Sequence, residues 1–314
     1  PQRGGTLLLA VSQEPDSLDP ASTIQAVASS VQTHIYDRLV YIDEDRLPQP
    51  WLAEDWELSD DGTELTFHLR SGVMFHDDTE VNADAVKHNF DRILDPDMAS
   101  PALAQMGSLQ EVEVVDDYSV IFRFEEPYAP FFTNIAISYG GIVSPAGVEE
   151  HGDQFGRNPV GSGPFKFREW QTGQHIVLDR FEGYVNYRGD DQNDGEVYVD
   201  GLEIQFISDV STRLAALQSG ELHISDVDRA QAPGIEEDPN YNIVLWEDAT
   251  NYNFIEFVDR EPFNQVAFKQ AIACAIDRET IAASAYNGYA TPNLLPMPSG
   301  LAGWDEELGR ERRP

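Results

Sequence analysis

Residues 158–167 read NPVGSGPFKF. Pro159 and Pro164 lock φ near about −65°, Gly161 and Gly163 carry no Cβ, and Phe165 and Phe167 open an alternating apolar run. A Gly-x-Gly pair can cradle phosphate only where a helix N-terminus stands directly behind it, and here a strand follows. The stretch therefore reads as a stiff, sharp corner that turns the chain into a sheet.

Downstream of the corner, FKFREW and HIVLDRF flank QTGQ as a hairpin. Upstream, WELSDDGTELTFHLR (56–70) turns at Asp61-Gly62 and then alternates Leu65, Phe67 and Leu69 on one face. EVEVVDDYSVIFRFEEP (111–127) repeats the pattern: Val112 and Val114 precede an Asp-Asp turn, and Tyr118, Val120, Phe122 and Phe124 follow it. GTLLLAV (5–11) is a buried strand closed by the turn-rich EPDSLDP.

Between these strands the apolar period changes to 3.6. Ile24, Val27, Ala28, Val31, Ile35 and Leu39 predict a long amphipathic helix capped by Ser22 or Thr23. A second helix opens at Asn82, turns Val86, Phe90, Ile93 and Leu94 inward and stops at Asp95-Pro96. A strand at 202–207, a helix at 211–219 capped by Ser211 and ended by Gly220, and a strand near 241–247 predict an αβ unit. A last long helix starts after Pro262 with Asn264 as its cap, carries Phe268, Ala271, Ile272, Ala275 and Ile276 inward, and breaks before Gly288. Cys274, alone in the chain, is expected there as a small buried hydrophobe rather than a nucleophile. The sum is a mixed α/β chain.

The 314 residues can bury a full core in one or two domains. Charge is the unusual feature: 56 Asp and Glu against 20 Lys and Arg give −36. Only Lys87, Lys166 and Lys269 are lysines, so arginine supplies the other basic groups. Such a surface repels phosphate backbones and argues against nucleic acid as a partner. The acids are scattered among periodic apolar segments, which reads as a folded protein with an acidic, strongly hydrated surface rather than a disordered one; a salt-adapted source and a merely acidic mesophilic protein are the two readings of that surface. No apolar run approaches the about 18–20 residues of a membrane span.

Nothing in the sequence demands an enzyme. No G-x-S-x-G, Walker loop, Cys-x-x-Cys or helical metal-histidine pair occurs. With so many carboxylates, pairs such as Asp60/Asp61 or Glu125/Glu126 arise by chance. His68 and His76, with Asp77 and Asp78 beside them, are the one candidate metal cluster, and strand-and-turn histidines bonded to backbone are the better reading of them. No cofactor is expected.

Taken in order, GGTLLLAVSQEPDSLDP, IYDRLVYID, PQPWLAEDWELSDDGTELTFHLRSGVMFHDD, NPVGSGPFKF, STRLAALQSGELHI and EPFNQVAFKQAIACAID resemble the peptide/nickel family, family 5, of extracellular solute-binding proteins that feed ABC importers. The resemblance implies a two-lobed periplasmic-binding-protein-like fold, type II and cluster C, that closes on a ligand by hinge motion and docks on a membrane permease. It implies a discontinuous lobe-one core from 1–40 and 168–255, an inserted subdomain at 41–167, and the start of an incomplete lobe two at 256–314. Family members continue further, so the chain reads as an incomplete member, monomeric, periplasmic or extracellular, and either free or lipid-anchored in its longer form. By motif position, the ligand-facing groups are Ser22, Thr23, Gln25 and Ser29, then Leu103 and Met106, then Ser138 and Tyr139, and finally Asn251 and Tyr252. Asp78 stands where the family usually turns on Gly, His223 where it usually carries Asp, and Val258 where Asn is common. ISYGG (137–141) lacks the arginine of nickel-chelate binders, which favours di- or oligopeptides. A nickel-chelate or other small-solute binder and a secreted acidic hydrolase are the rival readings.

Overall fold

A computed structural model describes residues 3–187, 197–229, 231–244 and 255–293. The chain divides into two compact units, Pro1–Asp226 and Val227–Pro314. In the first, strand β1 (Thr6–Val11) leads through a loop to helix α1 (Ala26–Ile35), the short strands β2 (Val40–Ile42) and β3 (Pro48–Pro50), and the hairpin of β4 (Ala53–Leu58) and β5 (Glu64–Leu69). Helix α2 (Ala83–Leu94) precedes a second hairpin of β6 (Leu109–Asp116) and β7 (Ser119–Phe124), then helices α3 (Phe131–Ile135) and α4 (Pro145–His151). Strands β8 (Phe165–Gln171), β9 (His175–Arg180) and β10 (Gly201–Phe206) and helix α5 (Val210–Ser219) complete it.

Two four-stranded sheets result. One has the order β1-β10-β9-β8 and the other β4-β5-β7-β6. β1 runs parallel to β10, with Leu7 opposite Leu202 and Leu9 opposite Ile204, and the other pairings are antiparallel. Each sheet owns a core. Over the first, Val31, Ile35 and Tyr36 of the α1 region pack on Ile176, Leu178, Leu202 and Ile204. Under the second, Phe122 stands edge-on to Phe67 and Phe90, with ring centroids 5.4 and 4.7 Å away, and meets Phe131 at 5.4 Å.

Several local expectations hold. Gly62 turns the first hairpin with φ 73°, and Leu65, Phe67 and Leu69 are buried as the alternation requires. Asn82 caps α2 by accepting from the Ala85 N–H at 2.9 Å, and α2 ends at Leu94. Asp78 adopts φ 65°, the left-handed conformation for which glycine is the default residue.

Others are corrected. Helix α1 covers only Ala26–Ile35, and neither Ser22 nor Thr23 is its N-cap: Gln25 holds that position without a side-chain cap. Both hydroxyls are already committed, Ser22 to Asp19 and Thr23 to Asp16. Helix α5 is capped by Asp209, not Ser211, with the carboxylate accepting from the Thr212 N–H at 2.7 Å.

In the second unit, α6 (Pro233–Glu236) precedes α7 (Val266–Ala275) and α8 (Arg278–Ala285), so the single helix expected after Pro262 is two. The break falls at Asp277, whose carboxylate accepts from the Thr280 N–H at 2.9 Å and restarts the helix. α7 begins after Gln265, not Asn264, and none of its residues is buried. Cys274 is correspondingly exposed, against the expectation of a buried hydrophobe, because no described element of this unit covers its face of α7. Residues 241–244 form no strand, and 245–247 lie outside the described residues.

The 158–164 corner binds several elements of the first unit at once. The Gly163 N–H donates to the Ile35 carbonyl at the end of α1 at 2.8 Å, the Gly161 carbonyl accepts from the His76 N–H at 2.8 Å, and the Val160 carbonyl accepts from the Ser144 N–H at 3.0 Å. Neither glycine needs positive φ; both are needed for proximity. A Cβ on Gly161 would lie 2.1 Å from the Ile35 carbonyl oxygen, and one on Gly163 2.8 Å from it.

Candidate functional site

The loop between β1 and α1 is shaped by carboxylates turned inward. Asp19, nearly buried, receives both Arg92 guanidinium nitrogens, at 2.5 and 3.2 Å, from α2. The same carboxylate accepts the Ala21 N–H at 3.1 Å and the Ser22 hydroxyl at 2.8 Å. Thr23 donates to Asp16 at 2.7 Å while its hydroxyl oxygen accepts from the Gln25 N–H at 3.2 Å. A fixed approach to the N-terminus of α1 follows, with Ser22 and Ile24 on the outside.

At the loop's base, Glu14 accepts from Arg157 at 3.0 Å, the Trp170 indole at 2.8 Å and the Gly173 N–H at 3.0 Å, and Arg157 stacks 3.7 Å from the Trp170 ring centroid. Burial alone would raise the Glu14 pKa, but the hydrogen bonds from Arg157, Trp170 and Gly173 outweigh it and hold the group below the usual carboxylate range.

Two further segments are tied to this loop. Ser100 donates to the Ala21 carbonyl at 2.6 Å, which anchors the turn Leu103–Met106. Asn134 of α3 donates to the Gln105 carbonyl at 2.7 Å, and the turn Ser138–Gly140 follows α3 and packs beside α1. Leu103, Ile24 and Ile137 are left 44%, 46% and 43% exposed on the three segments. Gln25 and Ser29 are half-buried, the Ser29 hydroxyl donating to the Gln25 carbonyl at 3.2 Å. Tyr139 is half-buried against the aromatic core. Thr23 and Met106 are buried, Met106 completely, so they present almost no surface to a solute. Ser138 lies in its turn, and Asn251 and Tyr252 lie outside the described residues.

Asp19 and Arg92 escaped the reading of the sequence, and so did the exposure of Ile24 and Ile137. The usable signal was Arg92 itself, an arginine in the last turn of a helix whose buried face is apolar apart from Asn89.

His76 is bonded to backbone: its Nε2–H donates to the Gly163 carbonyl at 2.9 Å and its Nδ1 accepts from the Gly161 N–H at 3.3 Å. Burial pushes its pKa down to about 4, which keeps the ring neutral. His68 meets the Ser119 hydroxyl at 3.2 Å. Among the described residues no group of three His, Cys, Asp or Glu could hold a metal ion.

Comparison with known proteins places this arrangement. The family described as bacterial extracellular solute-binding proteins, family 5, middle part, matches residues 48–314. The chain belongs to that family. Among curated proteins, this solute-binding protein is 29% identical over 295 residues to the glutathione-binding protein GsiB of Pectobacterium atrosepticum, covering 94% of the chain and 56% of GsiB. Among solved structures, AppA from Bacillus subtilis, an oligopeptide-binding protein in complex with a nonapeptide, superposes with TM-score 0.80 at 26% identity, covering 99% of this chain and 64% of AppA. AgaA from A. tumefaciens R10, in complex with agropinic acid, gives TM-score 0.79 at 30% identity over 98% of the chain and 61% of AgaA. The chain thus spans little more than half of its curated relative, and it has the mixed α/β fold of the matching part of type II periplasmic binding proteins. Among the described residues no helix is long and apolar enough to cross a membrane.

Proposed function

We propose that the chain is part of the extracytoplasmic receptor of an ABC importer, capturing di- or oligopeptides between two lobes and delivering them to membrane permease subunits. The first unit would supply one wall of the cleft, with the β1-β10-β9-β8 sheet in the lobe-one core and the β4-β5-β7-β6 sheet in the inserted subdomain. The observation that carries this reading is that the β1–α1 loop, the Leu103–Met106 turn and the Ser138–Gly140 turn are tied together and carry Ser22, Gln25, Ser29, Leu103 and Tyr139, which are neutral hydrogen-bonding groups and apolar side chains. Peptide main chains require neutral donors and acceptors, and wet, roomy surroundings make recognition independent of their side chains. Ser138, Asn251 and Tyr252 belong to the same proposal. A non-peptide small solute is the second reading, favoured by the likeness to AgaA with its bound agropinic acid. The protein would act as a monomer outside the cytoplasm, without cofactor, catalysis or nucleic acid.

Leu103→Arg tests the wall. Leu103 is 44% exposed, so the substitution leaves the core intact. Titration calorimetry on the full-length protein should show at least about tenfold weaker solute binding, equivalent to about 1.4 kcal/mol, with Tm unchanged. Leu58→Arg, at a leucine 58% exposed on β4, should bind normally. Equal affinity in the two variants removes Leu103 from the site.

A further inference from the structure

Asp37, directly after α1, is 1% exposed. Among the described residues it has no ion-pair partner. Its carboxylate accepts from the Ser162 hydroxyl of the corner at 3.2 Å and from the Tyr184 hydroxyl beyond β9 at 3.3 Å, both neutral donors at long range. Its carbonyl accepts the Ile142 N–H at 3.0 Å. Beside it lies a cavity of about 50 Å³, lined also by Val73, Phe181 and Tyr187, with room for water.

The charged neighbours do not neutralise it. Arg38 lies over the Trp51 ring, 5.5 Å from its centroid, and attracts Asp37 only through space. Arg70 donates to the Trp51 carbonyl at 2.7 Å and lies over the Tyr187 ring, 5.1 Å from its centroid. His34 and His76 stay uncharged near neutrality because burial pushes each to about 4. Among the described residues, Tyr184 and Tyr187 are the other titratable groups lining the cavity.

We propose that Asp37 is a proton-operated latch at the seam where the end of α1, the 158–164 corner and residues 181–187 meet. Protonated, it is a neutral group bridging Ser162 and Tyr184, and its carboxyl adds no buried negative charge to the seam. Ionised, it is a buried carboxylate with no ion-pair partner among the described residues, and the cavity must admit water to solvate it, which loosens the three segments. Burial, opposed by Ser162, Tyr184, Arg38 and Trp51, raises its pKa from 3.8 to about 7. The folded chain therefore holds this proton more tightly than the unfolded chain. The stability it confers is full below the unfolded value, falls as pH rises from about 4 to about 7, and is absent above that.

The test is a carbon-detected NMR titration of the Asp37 carboxyl, with thermal unfolding of wild type and Asp37→Asn, from pH 4.5 to 9. The carboxyl should titrate near pH 7. The Tm of the variant relative to wild type should climb with pH up to about 7 and then level off. A carboxyl that titrates below pH 5, or a Tm difference constant across the range, overturns the proposal. Should Asp37→Asn fail to fold, Ser162→Ala decides: loss of one donor to the carboxylate must move the midpoint upward, and an unmoved midpoint overturns it.

Discussion

Alanine at position 161 is expected to destabilise the protein by about 3 kcal/mol, the upper range for overpacking a well-filled site. The added Cβ would sit 2.1 Å from the Ile35 carbonyl oxygen and 2.5 Å from the Tyr36 ring. That carbonyl cannot retreat without breaking the hydrogen bond it accepts from Gly163 at 2.8 Å. Relief must come from displacing the whole corner, which also holds the His76 and Ser144 amides. Gly234→Ala is the control: a Cβ there meets nothing within 4 Å, and its melting temperature should be unchanged. Urea unfolding of both variants checks the difference, and equal midpoints would show that the corner yields freely.

The second large effect is Arg92→Ala. It leaves Asp19 a nearly buried carboxylate without its cation, and breaking such a pair from one side costs about 3–5 kcal/mol. At this chain size that is a Tm loss of roughly 10 °C. The loop should suffer as well, since Asp19 also fixes the Ala21 amide and the Ser22 hydroxyl. Solute affinity is therefore expected to fall together with stability. Arg92→Lys, which keeps the charge and loses the two-pronged geometry, should recover part of the stability. A Tm within 2 °C of wild type for Arg92→Ala would mean that water already screens Asp19.

Much of the fold was legible because its signals are local. The Asp61-Gly62 turn, the alternation in β5 and β7, and the Asn82 cap are complete within a few residues. The failures share a cause, since each turned on which partner a side chain takes. Ser22 and Thr23 are good cap residues by type, but Asp19 and Asp16 claim their hydroxyls first. Ser211 lost to Asp209, an equally suitable cap two residues earlier. Asp277 looked like the interior of a long helix and instead begins a new one.

For the candidate wall, motif order proposes the segments but carries no information on their facing. Met106 and Leu103 share one turn, and the structure sends the first into the aromatic core and leaves the second on the surface. The pairing that fixes the loop between β1 and α1, Asp19 with Arg92, spans 73 residues of sequence. No spacing rule reaches that far. The corner itself was recognised correctly as a tight path, although the reason for both glycines, the Ile35 carbonyl, became visible only in three dimensions.

The central claim, that this chain serves solute capture, is tested most directly by native mass spectrometry of the full-length protein purified without denaturation. The account predicts one small solute per protein molecule, identified on release as a peptide of two to several residues. A protein that carries no stoichiometric solute and instead turns over a peptide or glycoside library would contradict it.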